Sequence, residues 1–255
     1  MANLLGQFVF LLLGGVVAGL LSSVASMASL ASYPVLLMTG VPPIFANVTN
    51  DAALIWTSFG STISSTKGLH RHWGQVAYYS LYTIIGSIIG CVLLLIFPSS
   101  VFEKVVPFFI AFSGLMILVS GQHQHHNLQP QKRSWRQRIF YAFLLLIMGA
   151  YTGYFGAAGG VIVLVILTYM TDDNFLVINA IKNVICGFAN LVALLIFIFT
   201  SRIYWDKAIP LATGMFIGGY VGPSIMRKVP ANLIRILIAL LAFGQAGYLF
   251  MKAYF

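Results

Sequence analysis

Long apolar runs separated by short polar connections predict a chain of ten helical segments. The runs are continuous, as in Val92–Phe97 and Leu191–Phe199, and lack the apolar–polar alternation of outer-membrane β-strands. A helix needs about 20 apolar residues to cross a bilayer core of about 30 Å. The predicted segments are 4–21, 24–39, 44–66, 75–97, 101–120, 138–155, 157–170, 175–200, 208–226 and 231–252.

Composition makes this an integral membrane protein of the all-α class. Apolar residues make up 60% of the 255 residues and charged residues only 7%, whereas a soluble domain carries about 25% charged residues. The net charge of +9 comes mostly from loop Lys and Arg, which set orientation in the bilayer and do not indicate nucleic acid. Because Cys91 and Cys186 lie inside apolar runs, we expect neither a disulfide nor a metal site, and we expect no cofactor.

The chain repeats itself at a spacing of about 132 residues. The matched residues are Asn47 and Asn179, Trp73 and Trp205, Gly86 and Gly218, Gly90 and Gly222, and Pro98 and Pro230, and a slightly larger spacing pairs Gly15 and Gly19 with Gly149 and Gly153. Gly-x-x-x-Gly steps let helix backbones approach closely in lipid. We predict a first repeat of five helices in residues 1–121, a basic linker in 122–137 and a second repeat of five in 138–255.

An odd number of crossings in each repeat inserts the two repeats with opposite orientation. Most of the loop cations fall in one set of alternate loops, which the positive-inside bias places in the cytoplasm. They are Lys67, Arg71, Lys132, Arg133, Arg136, Arg138, Arg227 and Lys228. We therefore expect a multi-pass protein of the cell membrane with a cytoplasmic linker and both termini outside. The second and seventh segments are short, so each is expected to be a half-helix or to be broken near the midplane.

Polar side chains form a stripe along one face of both the third and the eighth segment. At 3.6 residues per turn, one stripe holds Asn47, Asn50, Asp51, Ser58 and Ser61, and the other holds Asn179, Lys182, Asn183, Cys186 and Asn190. An ionisable group inside a span costs about 2.5–3.5 kcal/mol. Asp51 and Lys182 therefore form a structural ion pair or lie near water, or they serve transport. If the two residues serve transport, Lys182 attracts an anion, the asparagines hydrogen-bond that anion, and Asp51 carries a coupled proton.

Small residues mark a break at the start of the second segment and of the seventh. The first break contains Ser26 and Ser29, and the second contains Gly156, Gly159 and Gly160. A helix that begins after a break presents free N–H groups and a positive dipole end, which together bind anions. Tight helix packing is the alternative explanation for the small residues.

A Gly-rich break early in each half, followed by a polar Asn-containing helix and a Gly-x-x-x-Gly helix, resembles the TauE/SafE family of sulfite exporters. The resemblance covers nearly the whole chain and implies a multi-pass permease for small sulfur-containing anions such as sulfite or an organosulfonate. It also implies that the matched Gly-rich and Asn positions line the transport path. The second half fits the family pattern through Gly156, Gly159 and Gly160, whereas the first half has Ala-Ser-Met-Ala-Ser at 25–29.

These observations favour a secondary transporter that exposes a central anion site alternately to each side of the membrane. The sequence does not contain the Gly-x-x-x-x-Gly-Lys-Ser/Thr motif that is typical of ATP-binding proteins. A passive anion channel is the main alternative, since the same polar stripes would line a pore. A membrane-embedded enzyme is the third hypothesis, but the chain has only five scattered acidic residues for acid–base chemistry. The sequence leaves the oligomeric state open.

Overall fold

The computed structural model describes residues 2–25, 27–65, 69, 72–120, 134–156, 159–171, 173, 175–226 and 231–255. This part of the chain forms ten α-helices and confirms the predicted all-α fold. The helices are α1 (Ala2–Ala25), α2 (Ser29–Met38), α3 (Pro43–Ser65), α4 (Trp73–Ile96), α5 (Ser99–Ser120), α6 (Trp135–Tyr154), α7 (Gly159–Met170), α8 (Phe175–Thr200), α9 (Trp205–Met226) and α10 (Ala231–Tyr254). Their bounds follow the predicted segments to within a few residues.

The outer surface of the bundle is apolar, as contact with lipid requires. Leu5 on α1, Ile96 on α4 and Leu241 on α10 are all more than half exposed. Four helices within the described ranges are long and apolar enough to span a membrane, in the stretches Leu4–Ser22, Trp73–Ile96, Ser99–Met116 and Val177–Thr200. By contrast, α2 has 10 residues and α7 has 12. At 1.5 Å per residue they are only about 15–18 Å long, about half the bilayer core.

The Gly-x-x-x-Gly steps bring two pairs of helices into backbone contact. A Cβ atom added at Gly86 on α4 would lie 2.0 Å from the carbonyl oxygen of Leu146 on α6. The same atom at Gly15 on α1 would lie 2.2 Å from the carbonyl oxygen of Leu211 on α9. Only glycine permits crossings this close, so the predicted packing role of these steps is confirmed.

One detail of the repeat alignment differs from the prediction by a turn of helix. The spacing of 132 residues pairs Gly86 with Gly218, but the contacts of Gly86 against α6 match those of Gly214 against α1. The reason is that Gly214 comes 9 residues after Trp205, whereas Gly86 comes 13 residues after Trp73. The matching tryptophans begin α4 and α9 alike, but α9 reaches its close crossing one turn sooner.

The helix contacts keep the same pattern when each helix is exchanged with the one five places along the chain. α1 packs on α9 as α6 packs on α4, and α3 packs on α9 as α8 packs on α4. α2 lies between α1 and α3 as α7 lies between α6 and α8, while the α3–α8 and α5–α10 contacts map onto themselves. This pattern agrees with two related sets of five helices. The repeat boundaries and the opposite orientation of the sets in the bilayer stay predictions.

The first two helices of each set form a hairpin whose tip points into the bundle. α2 returns along α1, where the side chain of Val35 contacts Gly14. α7 returns along α6, so that Thr171 after its end lines one groove with Arg138 near the start of α6. Since both arms of a hairpin end on the same side, the short helices α2 and α7 do not complete a crossing. The described residues of the two tips, Met27 and Ala28 before α2 and Phe155 after α6, are buried inside the bundle.

Candidate functional site

A polar cavity lies between the two hairpin tips and the crossing helices α3 and α8. Its volume is about 50 Å³, several times the roughly 10–15 Å³ that one water molecule needs. The first half contributes Ser22, Ala28, Ser29, Leu54, Ser58 and Ser61, and the second half contributes Thr152, Gly156, Gly160, Lys182, Asn183, Cys186 and Asn190. Both halves of the chain therefore build one site with room for a small solute.

Two helices begin at this cavity. Ala28, the N-cap of α2, has no side-chain cap for the first N–H groups of the helix, and Ser29 follows it on the cavity wall. On the opposite wall, Gly156 has a φ of +70°, a left-handed conformation that ends α6 and suits glycine. Gly160 lies in the first turn of α7. The positive dipole ends of α2 and α7 thus face the same small space.

Gly159 supports the cavity without lining it. It is buried, and a Cβ atom added there would lie 2.2 Å from Cγ2 of Thr152. Thr152 itself lines the cavity. The missing side chain of Gly159 therefore lets the start of α7 pack against the last turn of α6, which brings the two walls of the site together.

α8 supplies the one basic side chain among the described cavity-lining residues. Lys182 is 3% exposed, and Asn183, Cys186 and Asn190 follow it along the same wall. α3 approaches α8 closely at this level, because a Cβ atom on Gly187 would lie 3.1 Å from that of Ser58. An ammonium group, amide N–H groups and hydroxyls are all hydrogen-bond donors. With the two helix starts, they give the cavity the donors and the positive potential that an anion needs.

Seven of the thirteen predicted site residues line the cavity, and they come from both halves of the chain. These seven residues are Ser29, Ser58, Gly156, Gly160, Lys182, Asn183 and Asn190. Asn179 is half-buried and does not line it. Ser26 lies outside the described residues.

Asn50 contacts the cavity wall from behind. Its Nδ2 donates a hydrogen bond to Oγ of Ser29 at 3.1 Å, and its Oδ1 accepts one from Oγ of Ser32. The amide is fully buried. It therefore fixes the first turn of α2 to α3 and positions Ser29, while the substrate contact of Asn50 itself stays a prediction.

Asn47 and Asp51 lie one turn apart on α3 and are buried outside the cavity. Nδ2 of Asn47 donates to the carbonyl oxygen of Tyr154, the last residue of α6, at 3.1 Å. Oδ1 of Asn47 and both carboxyl oxygens of Asp51 have no hydrogen-bond partner among the described residues. This finding argues against the hydrogen-bonded ion pair between Asp51 and Lys182 that the sequence left open.

Six further residues of the cavity wall were not predicted as site residues, namely the apolar Ala28 and Leu54 and four residues with a hydroxyl or thiol group. Ser61 belongs to the α3 stripe and Cys186 follows Lys182 by one helical turn, so the 3.6-residue period indicates both. Ser22 belongs to the small-residue stretch of the first break. Thr152 carries no sequence signal beyond its position four residues before Gly156.

Ten helices with an apolar outer surface and one donor-rich cavity built from both halves define a multi-pass membrane transport protein. The chain belongs to the sulfite exporter TauE/SafE family, whose model matches residues 11–249. The family resemblance is thereby confirmed over most of the chain.

Similar proteins carry names that agree with this class. A probable membrane transporter protein of a Sinorhizobium species, ORF9, is 24% identical over 93% of this chain and 90% of its own length. One from Haemophilus influenzae is 25% identical over 90% of this chain and 89% of its own. The probable membrane transporter protein YfcA of Escherichia coli is 24% identical over 94% of this chain and 87% of its own. No solved structure matches the chain.

Proposed function

We propose that this membrane transporter is a secondary carrier that binds a small sulfur-containing anion, sulfite or an organosulfonate, in the central cavity. The observation that carries the proposal is the meeting of two helix N-termini and Lys182 around one cavity. The family name, which refers to sulfite export, supports the choice of substrate. Lys182 supplies the charge, and the side chains that orient the oxygens of the anion are Ser29, Ser58, Asn183 and Asn190.

The donors of the cavity suit an anion with several oxygens. A hydrogen bond to a charged group contributes about 1.5–3 kcal/mol to binding. Three sulfite oxygens can accept bonds from Lys182, Ser29 and Asn183 at once, and the starts of α2 and α7 add positive potential. An organosulfonate carries the same kind of oxygens on a longer molecule, so its binding needs the cavity to widen.

Contacts between the two halves suggest how access to the cavity alternates. At one end of the bundle, Nζ of Lys207 on α9 donates to the carbonyl oxygen of Thr39 after α2 at 2.6 Å. At the other end, Nδ1 of His72 before α4 lies 3.6 Å from a carboxyl oxygen of Asp173 before α8. We infer that rocking of one half against the other breaks these two contacts in turn and opens the cavity to each side.

The proposed orientation keeps the basic linker 122–137 in the cytoplasm and both termini outside. With α2 and α7 returning to the side from which α1 and α6 enter, each half makes three full crossings. Three crossings per half is an odd number, as the five crossings expected from the sequence were, so the two repeats still insert with opposite orientation. Reporter fusions after Phe255 test this: activity of a periplasmic reporter supports the orientation, and activity of a cytoplasmic reporter contradicts it.

Flux measurements in proteoliposomes test the proposed carrier. We expect saturable uptake of radiolabelled sulfite that unlabelled sulfite inside the vesicles stimulates. Flux that neither saturates nor shows countertransport would favour the passive anion channel. The substrate class is tested separately by thermal stability of the purified protein with sulfite, sulfate, thiosulfate, sulfoacetate and taurine. Stabilisation by none of these compounds, or equal stabilisation by uncharged sugars, would contradict the anion site.

A further inference from the structure

Three buried acceptor oxygens on one face of α3 have no donor among the residues that the structure describes. Oδ1 of Asn47 and both carboxyl oxygens of Asp51 lack a hydrogen-bond partner in the described part of the chain. Asn47 is completely buried and Asp51 is 1% exposed. Side chains four residues apart on a helix are neighbours, with Cβ atoms about 5–6 Å apart. Buried acceptors of this kind are normally satisfied, so their joint occurrence points to a missing partner that is positively charged or a donor.

The C-terminal end of α6 contacts this face of α3 at Asn47. Asn47 reaches it directly, through the hydrogen bond from Nδ2 to the carbonyl oxygen of Tyr154. The N–H groups of Phe155 and Gly156 both bond back to Tyr151. The last carbonyl groups of a helix have no intrahelical donor, and they carry the negative end of the helix dipole. Two side-chain groups and a helix end thus present oxygen atoms and negative potential to the same region.

We propose that Asn47, Asp51 and the terminal carbonyl groups of α6 bind a sodium ion. Hard cations take carboxylate, amide and backbone carbonyl oxygens as ligands. A single carboxylate matches a monovalent ion, whereas divalent ions are usually held by more carboxylates. A proton on Asp51, the alternative from the sequence, leaves at least one of the three oxygens without a donor. One metal ion can contact all three and also balances the buried charge.

The acidic residue of the sodium site has no acidic counterpart in the second half. At the repeat spacing of 132 residues, Asp51 corresponds to Asn183 and Asn50 corresponds to Lys182. The second half therefore places a basic residue where the first half has a neutral one, and a neutral residue where the first half has the acid. This difference separates the two charges of the bundle interior into a cation site on α3 and an anion site on α8.

The two sites are connected through the end of α6. Thr152 and Gly156 line the anion cavity, and Tyr154 between them accepts the hydrogen bond of Asn47. A bound sodium ion would hold this end against α3 and so fix the wall of the cavity at the start of α7. The coupling of sodium to anion transport rests on the proposed function, whereas sodium binding itself does not. A coupling free energy of ordinary size predicts that sodium raises anion affinity about 5-fold or more.

Thermal unfolding of the full chain in detergent, without any anion substrate, tests sodium binding. At a constant pH of about 8, we expect NaCl to raise the melting temperature by about 5 °C, with saturation, relative to KCl or choline chloride at equal ionic strength. Asp51→Asn and Asn47→Ala should abolish this difference. The matched control is Ser80→Ala on α4, which removes a buried hydroxyl group that also lacks a hydrogen-bond partner in the described part of the chain. This variant should keep the full response.

Three results would overturn the sodium site. The first is a wild-type protein whose stability is the same in the three salts, which needs no variant to interpret. The second is a sodium response that persists in Asp51→Asn. The third is a pH response of transport that Asp51→Asn removes while sodium has no effect, which would make Asp51 a proton carrier. Anion stabilisation in sodium-free buffer reports on the proposed function independently, so failure of one proposal is distinguishable from failure of the other.

Discussion

Replacing Lys182 by methionine separates the role of its charge from its role in packing. Lys182 lines the cavity and is 3% exposed, and methionine keeps an unbranched side chain of similar length. The variant loses one charge-assisted hydrogen bond to the anion, worth about 1.5–3 kcal/mol. We therefore expect the dissociation constant for sulfite to rise about 10- to 150-fold. Removing an ionisable group from a span also relieves an insertion cost of about 2.5–3.5 kcal/mol, so expression and thermal stability should not fall.

Equilibrium binding of radiolabelled sulfite to the purified variant measures this change directly. The matched control is Lys104→Met at the start of α5, where the lysine is exposed and away from the cavity. It should bind as the wild type does. Unchanged sulfite affinity in Lys182→Met would refute the reasoning that Lys182 supplies the charge, and a well-folded variant is required for that conclusion. Loss of binding together with loss of folding would instead assign Lys182 a structural role.

Further predictions concern the glycines and the cavity thiol. Gly86→Ala places a methyl group against the backbone of α6 and should lower the free energy of unfolding by about 1–3 kcal/mol in denaturant titrations. Gly244→Ala is the control and should have no such effect, because no described atom lies within 4 Å of the added Cβ. Gly156→Ala strains a φ of +70° at a cost of about 1–2 kcal/mol and should weaken anion binding in the same assay as Lys182→Met. Cys186 lines the cavity, so bound sulfoacetate should slow its alkylation by iodoacetamide, as measured by mass spectrometry. An unchanged alkylation rate would contradict the place of Cys186 in the anion site.

The fold was largely predictable because lipid imposes simple rules on a helical chain. Segment lengths and loop positions follow from the length of the apolar runs, and the close crossings follow from Gly15, Gly86 and their matches. The return of α2 and α7 was less visible, since a run of 10–12 apolar residues fits a half-helix and a broken span equally well.

The site was predictable only where side chains carry it. Lys182, Asn183 and Ser58 stand out because a polar residue in an apolar run needs a reason to be there. The periodicity could not divide the α3 stripe into a part behind the cavity wall, with Asn47 and Asn50, and a part that lines the cavity. That division depends on backbone partners such as the carbonyl oxygen of Tyr154, 107 residues from Asn47. Every residue has a carbonyl group, so no sequence signal marks this contact.

The position of a bound anion tests the central claim most directly. Selenite carries the same three oxygens as sulfite, and its selenium atom gives an anomalous signal in a crystal structure of the full chain. We predict one strong anomalous peak between the starts of α2 and α7, within hydrogen-bond reach of Lys182. A peak elsewhere in the bundle, with this cavity occupied only by water, would contradict the account.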